Sequence, residues 1–451
     1  MEKRGSFGSR FGAVAAVGGS VIGLGNIWRF PYIAGENGGA VFILIYLSIS
    51  FLISIPIMLS EFSIGRSARR NSMGAFAKLA PGTQWKWVGY AGILTAFIIL
   101  SFYCVIGGWA FEFFKESVFN QFQGKTPDQI EASFKSFVAC GWRPIIWTIL
   151  FIIASTAIIL AGVQQGIERY TKILMPILFV LLLGMAINSL TLEGAQKGIT
   201  FLLKPDFSKV TGSTVLQALG QSFFSMSLGM GAMITYGSYF RKEEKMMKVG
   251  ALVALSDITV AILSGLAIFP AVFSFGINPS SGPDLVFLTL PNIFSQMSGG
   301  HLLSIAFFFL LFIAAITSSI SLLEVIVAYM TEELHITRKR AIAYTATAIC
   351  ITGSLCALSM IPNSILTIDG KTLFDLCDSL SSNILMPLGA LFIVLFAGWI
   401  LSPVLLRNEM TNHMQYGIRI FPVIRFMIRF VIPVVILLLF LNQIGLFSKL
   451  P

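Results

Sequence analysis

The sequence predicts an all-α polytopic membrane protein whose core is two inverted five-helix repeats, each opening with a broken helix, plus one peripheral helix. Three observations carry this expectation. Of the 451 residues 56% are hydrophobic and only 12% charged, with mean hydropathy +0.84, a balance that leaves no soluble domain of useful size. Eleven apolar segments follow one another along the chain, most near the ~20 residues that cross a bilayer as helix. Glycines interrupt the first and the sixth of them at corresponding places.

The first segment, near 11–34, holds Gly18-Gly19-Ser20-Val21-Ile22-Gly23-Leu24-Gly25-Asn26-Ile27-Trp28-Arg29-Phe30-Pro31. Glycine is a poor helix former, and in hydrocarbon each peptide group freed by a broken helix needs a partner. Such a break persists where backbone lines a polar cavity. Carbonyls there can hold a small cation, and the amides of a half-helix N-terminus can receive a carboxylate. The same glycines also suit a small-residue face for close helix packing. Asn26 and Arg29 favour the cavity, because intramembrane polar and charged groups are costly and usually functional. The stretch reads as an ion and substrate site at mid-membrane.

Segments two to five lie near 40–64, 88–118, 144–161 and 170–190. The sixth, near 214–239, carries its glycines in Phe223-Phe224-Ser225-Met226-Ser227-Leu228-Gly229-Met230-Gly231; segments seven to ten follow near 248–275, 300–330, 340–360 and 374–402. Because five is odd, two five-span units enter the membrane from opposite sides and place their broken helices face to face. This puts repeat one at about 10–190, repeat two at about 214–402 and the peripheral helix at about 423–445, in a single transmembrane domain over 1–451. With the N-terminus cytoplasmic, 21 basic residues fall in inner segments and nine in outer ones, so the positive-inside rule favours N-in and C-out. The basic start, Met1 to Arg10, precedes a segment without a small-residue cleavage site and reads as leading into a retained span. Among the external loops, 276–299 combines Asn278, Pro279, Gly282 and Pro283 with short apolar pieces; these could dip toward an outer vestibule, but a solvated loop is the simpler expectation.

The net charge of +10 does not point to nucleic acid, since the basic residues sit in short loops between apolar spans, where a lipid bilayer surface explains them. Cys104, Cys140, Cys350, Cys356 and Cys377 lack metal-ligand spacing, and only Cys140 falls in an external loop, which argues against a disulfide framework or zinc site. His301, His335 and His413 lie near span ends or loops and assemble no catalytic set, so neither an enzyme nor an organic cofactor is expected.

In the eighth segment, Thr317 and Ser318 would either hydrogen-bond to the preceding turn or offer hydroxyls to a cation beside the carbonyls of Gly19 and Ile22. Sodium, a hard cation, takes oxygen ligands. Asp257, a few residues into the seventh segment, needs a cation or a hydrogen-bond network; either a bound sodium or a basic partner would serve, and an ion path is favoured. Glu61 and Glu324 are the other intramembrane acids, and a buried structural network suits them at least as well.

The stretch from Gly19 to Pro31, Glu36-Asn37-Gly38-Gly39 and Glu61-Phe62-Ser63-Ile64-Gly65-Arg66 together resemble the neurotransmitter:sodium symporter family of the LeuT fold. Tyr103 to Trp109, Gln221 to Tyr239, Thr317-Ser318-Ser319 and Phe374-Asp375 to Asp378 extend the match over nearly the whole chain, from Arg4 to Trp399. The chain is similar to eleven-span bacterial amino-acid carriers of that family. The resemblance implies cotransport of sodium, as two ions, with a small amine-containing substrate by alternating access.

Position by position, the resemblance implies one sodium site from the Val21 carbonyl, Asn26, Ser225, Asp257 and the substrate carboxylate. The other would use the carbonyls of Gly19, Ile22 and Ala314 with the hydroxyls of Thr317 and Ser318. Gly23 stands where monoamine carriers resemble one another in an aspartate, so the substrate should be an L-amino acid bringing its own carboxylate. Val21, Gly23, Leu24, Gly25, Tyr103, Phe224, Ser225, Ser227, Met230, Ser318 and Leu322 would surround it. The adaptable thioether of Met230 suits a hydrophobic or aromatic side chain. Asp257 stands where the family usually has asparagine, and Ala261 where some members have a serine or glutamate linked to chloride; the implied transport is chloride-independent.

Arg29 and Asp378 would form an outer gate above a lid of Tyr103 and Phe224. Arg4 and Glu332 would form an inner one, with Phe7 packed beneath it beside Ser238 and Tyr239. A channel or a non-transporting sensor on the same fold is the alternative, but an occluding lid implies saturable transport, and an inner gate has no use in a sensor.

Overall fold

The computed structural model describes residues 5–277, 286–297 and 299–443, with side chains placed as far as Leu441. Among the described residues nine unbroken helices are long and apolar enough to cross a bilayer: Ala40–Ala68, Lys86–Val118, Trp142–Leu160, Val163–Leu190, Met246–Ser274, Gly300–Glu332, Arg338–Ser359, Leu373–Ile400 and Phe421–Leu441. Span one is a bent pair, Arg10–Val21 and Gly25–Glu36, meeting at 47°. Span six is split into Gly212–Ser225 and Ala232–Gly237. The two interruptions, one in each half of the chain, fall where the glycines predict them; the segments are numbered below by the eleven apolar stretches of the sequence.

The break in span one is narrower than its glycine-rich stretch. Gly18 and Gly19 stay helical, and the chain leaves the helix at Ile22 (φ −82°, ψ 96°), whose N–H still donates to Gly18 O at 2.7 Å. A Cβ on Gly19 would lie 2.9 Å from Thr171 Cγ2 of span five. The small-residue packing face and the polar break are therefore both present, one turn apart. In span six the residues between Ser225 and Ala232 are unwound, with positive φ at Ser227 (52°), Gly229 (77°) and Gly231 (77°), a region where glycine pays no steric penalty.

Spans three and eight pack along their length, and span one lies against spans five, seven and eight, which places both breaks at the centre of the bundle. Span eleven is only 22% buried, consistent with a peripheral place. The expectation of a solvated loop over 276–299 needs correction for its described part. Thr289–Gln296 is a helix with Leu290, Ile293 and Phe294 buried, and Phe287 meets Trp109 and Phe113 of span three at 5.6 and 5.2 Å. Those apolar side chains at helical spacing have a core to reach; Asn278 to Pro283 lie outside the described residues.

Candidate functional site

Between the two breaks lies a small, nearly closed-up cavity lined by Ser20, Val21, Gly23, Gly25, Ile99, Tyr103, Phe224, Ser225, Ser227, Met230, Ser318 and Leu322. All the expected substrate residues line it except Leu24, whose N–H instead donates to the Tyr103 hydroxyl at 3.3 Å. Ser20 and Ile99 are additions. Ile99 lies one helical turn before Tyr103 and so shares its face, a spacing readable in advance. The cavity has a polar side at Gly23, Gly25 and Tyr103 and an apolar side at Ile99, Met230 and Leu322. Ser227 donates its hydroxyl to Ser20 O at 3.0 Å, so its polar group is satisfied by backbone.

Beside the polar side sits Asp257, fully buried. It accepts hydrogen bonds from Asn26 Nδ2 at 2.7 Å, Ser225 Oγ at 2.5 Å and Tyr46 OH at 2.6 Å. Among the described residues no lysine or arginine lies within ion-pair distance, so the basic-partner alternative is not realised. Tyr46 was not foreseen. Its signal is a polar stripe, Tyr46, Ser50 and Ser54, at four-residue spacing on an apolar helix; Ser50 and Ser54 both hydrogen-bond Ser222 of span six, at 3.0 and 2.8 Å. Gln221 also joins this side, donating to Gly25 O at 2.7 Å and so pinning the second half of span one.

The second expected ion set is brought together in part. Ser318 Oγ donates to the carbonyls of Gly19 at 3.4 Å and Ser20 at 3.3 Å. The Thr317 hydroxyl turns back onto Ile313 O and Ala314 O, both at 3.1 Å, as serine and threonine commonly do in helices. Ile22 is the residue at which the first half-helix ends, its backbone turned to an extended conformation.

At one end of the cavity, Arg29 Nη1 is 3.9 Å from Asp378 Oδ1, and its guanidinium lies 4.5 Å over the Phe224 ring. Of the expected inner pair, Arg4 lies outside the described residues, while Glu332 accepts from Asn71 N at 2.8 Å and Asn71 Nδ2 at 3.1 Å. The described N-terminal segment is strapped down by other groups. Phe7 is buried edge-on to Tyr236 and Tyr239, and its N–H donates to Tyr239 O at 3.1 Å. Arg241 donates to the carbonyls of Phe7 at 2.9 Å and Gly8 at 2.7 Å. Glu168, on span five, accepts from Gly8 N at 2.6 Å and Ser9 Oγ at 3.1 Å. Hydrogen bonds to a charged group are the stronger kind. Glu168→Ala should therefore speed amide exchange of residues 5–12 by on the order of tenfold in hydrogen-exchange mass spectrometry; unchanged exchange would mean that Arg241 and Phe7 hold the strap alone.

The remaining acids take structural places. Glu61 Oε1 accepts Gly229 N at 2.8 Å, holding the unwound part of span six. Glu324 pairs with Arg338 at 2.6 Å and accepts from Tyr239 OH at 2.7 Å, an ion pair linking spans eight and nine to the inner end of span six.

Comparison with known proteins places this geometry. A model of the sodium:neurotransmitter symporter family matches residues 4–126 and 128–450. The chain is 39% identical over 447 residues to the sodium-dependent transporter YhdH of Bacillus subtilis, covering 99% of each. It is 31% identical over 430 residues to the sodium-dependent transporter MJ1319 of Methanocaldococcus jannaschii, covering 91% of this chain and 85% of that one. The crystal structure of MhsT in complex with L-phenylalanine superposes with a TM-score of 0.91 at 43% identity, over 97% of this chain and 99% of that chain.

Proposed function

The chain belongs to the sodium:neurotransmitter symporter family and is a multi-pass, sodium-dependent membrane transporter of the LeuT fold, and on that basis we propose that it carries hydrophobic or aromatic L-amino acids together with sodium by alternating access. The observation that carries the substrate class is Gly23 in the cavity wall. No acidic side chain stands there to meet an amine, and the space faces Tyr103 and Ser318. An amino-acid carboxylate fits that side, against the N-terminus of the half-helix that begins at Gly25. Ile99, Met230 and Leu322 then receive an apolar side chain. The L-phenylalanine in the MhsT structure supports this class.

Two sodium ions are assigned as cargo. The first takes Val21 O, Asn26, Ser225, Asp257 and the substrate carboxylate, so substrate completes the ion's shell and couples the two fluxes. The second takes the carbonyls of Gly19, Ile22 and Ala314 with Thr317 and Ser318. Asp257 supplies a fixed negative charge where the hydroxyls of Tyr46 and Ser225 converge, which makes an external anion unnecessary and transport chloride-independent. Arg29 and Asp378 close the outer face, and Arg4 and Glu332 with the strap at Phe7 close the inner one. The whole chain acts as one domain in the cell membrane, with the N-terminus cytoplasmic and the C-terminus external.

Uptake of radiolabelled tryptophan, tyrosine, phenylalanine, leucine and glycine into proteoliposomes tests this directly. Accumulation of the large side chains is expected only with an inward sodium gradient. Uptake of glycine alone would remove the apolar pocket from the reading, and gradient-independent uptake would remove the sodium sites.

A further inference from the structure

The outer pair is held together by a third residue. At 3.9 Å, Arg29 Nη1 and Asp378 Oδ1 are beyond hydrogen-bond reach. Ser382 fills the gap: it accepts from Arg29 Nη1 at 3.0 Å and its hydroxyl donates to Asp378 Oδ1 at 3.0 Å. A hydroxyl can do both at once, because it carries one donor and two acceptor lone pairs. In the series guanidinium, hydroxyl, carboxylate, each bond polarises the next in the same sense.

The local fold puts Ser382 there. Asp378 and Ser382 stand four residues apart on span ten and therefore share one helix face. Ser382 is 1% and Arg29 8% exposed, whereas the Asp378 side chain is 31% exposed, so the relay runs from a buried guanidinium to a carboxylate that meets solvent. Arg29 belongs to repeat one and Ser382 to repeat two, so the relay ties the repeats together above the cavity, next to Phe224.

We propose that Ser382 is the positioning residue of the outer closure: its hydroxyl transmits the attraction between Arg29 and Asp378 and sets how long the outer face stays shut over a bound substrate. This rests on Arg29 and Asp378 being the outer gate. A partly exposed ion pair at this separation is weak by itself, so loss of the hydroxyl releases the gate although both charges remain.

The test uses the full chain with Ser382→Ala, Ser382→Thr and Asp378→Asn. Two quantities are measured: release of radiolabelled L-phenylalanine from sodium-loaded protein after dilution, and KM against maximal rate of uptake in proteoliposomes. Ser382→Ala should speed release about tenfold and raise KM at least fivefold with maximal rate within threefold, and Ser382→Thr, which keeps the hydroxyl, should restore both to within twofold. Asp378→Asn should speed release at least as much. If Asp378→Asn acts and Ser382→Ala does not, the relay is wrong and the gate stands. If neither acts, the gate assignment itself falls and the relay with it. If Ser382→Ala acts and threonine does not restore, side-chain shape rather than the hydroxyl is responsible, which also overturns the relay.

Discussion

Asp257→Asn should lower the apparent sodium affinity by at least tenfold and make uptake depend on chloride. The carboxylate is fully buried and held by three neutral donors, Asn26, Ser225 and Tyr46, with no lysine or arginine in ion-pair range among the described residues. A negative charge in that setting attracts a cation with an energy of about 3–4 kcal/mol at 4–5 Å and an effective dielectric constant near 20. Asparagine keeps the shape and removes the charge. A sodium ion would then sit among neutral dipoles, and the hydroxyls of Tyr46 and Ser225, no longer engaged by a carboxylate, could hold an anion from solution. The measurement is sodium dependence of uptake in chloride and in gluconate for both proteins. A variant with an unchanged sodium response takes Asp257 out of the ion site, and wild-type uptake that collapses in gluconate defeats the chloride assignment.

Gly23→Ala should weaken substrate binding by about a hundredfold or more while the protein still folds. A Cβ at this position would run into Ser318 Oγ and stand 3.1 Å from Tyr103 OH. Ser318 sits in the tightly packed span eight with its hydroxyl on Gly19 O and Ser20 O, so it cannot retreat without disturbing the second ion site. The methyl group therefore takes the space assigned to the carboxylate. The same clash with Ser318 also costs stability, so the variant should melt at a lower temperature than the wild type in the absence of substrate. Equilibrium binding of L-phenylalanine, with thermal melting in its presence and absence, checks both halves. Retained tight binding would move the carboxylate away from Gly23; loss of folding would make the residue a packing glycine like Gly19.

How much of this was legible differs residue by residue. The helix breaks were readable because glycine and polar residues inside an apolar segment contradict both helix propensity and burial, and one physical explanation removes both contradictions. The wall of the cavity came from the family resemblance, with Ile99 missed only for want of counting back one turn from Tyr103. Tyr46 could have been found from its stripe with Ser50 and Ser54, since polar groups at four-residue spacing in hydrocarbon need a polar neighbour. Glu168 carried no comparable signal, and Ser382 only its place four residues after Asp378, which says nothing of Arg29. A serine in a membrane helix usually bonds to its own previous turn, and a glutamate near a basic residue four positions on, as Glu168 is to Lys172, reads as an ordinary surface pair.

Hydropathy and glycine placement alone determined the all-helical membrane class, the two broken helices and the stretches that meet at the centre, because each depends on local chemistry summed along the chain. The partner of each buried polar atom was decided only by the tertiary structure. Asp257 meets Tyr46 across 211 positions and Arg29 meets Ser382 across 353, and no local pattern encodes which of many membrane-buried hydroxyls lies within 3 Å of a given charge. That choice is made by the packing of one repeat against the other.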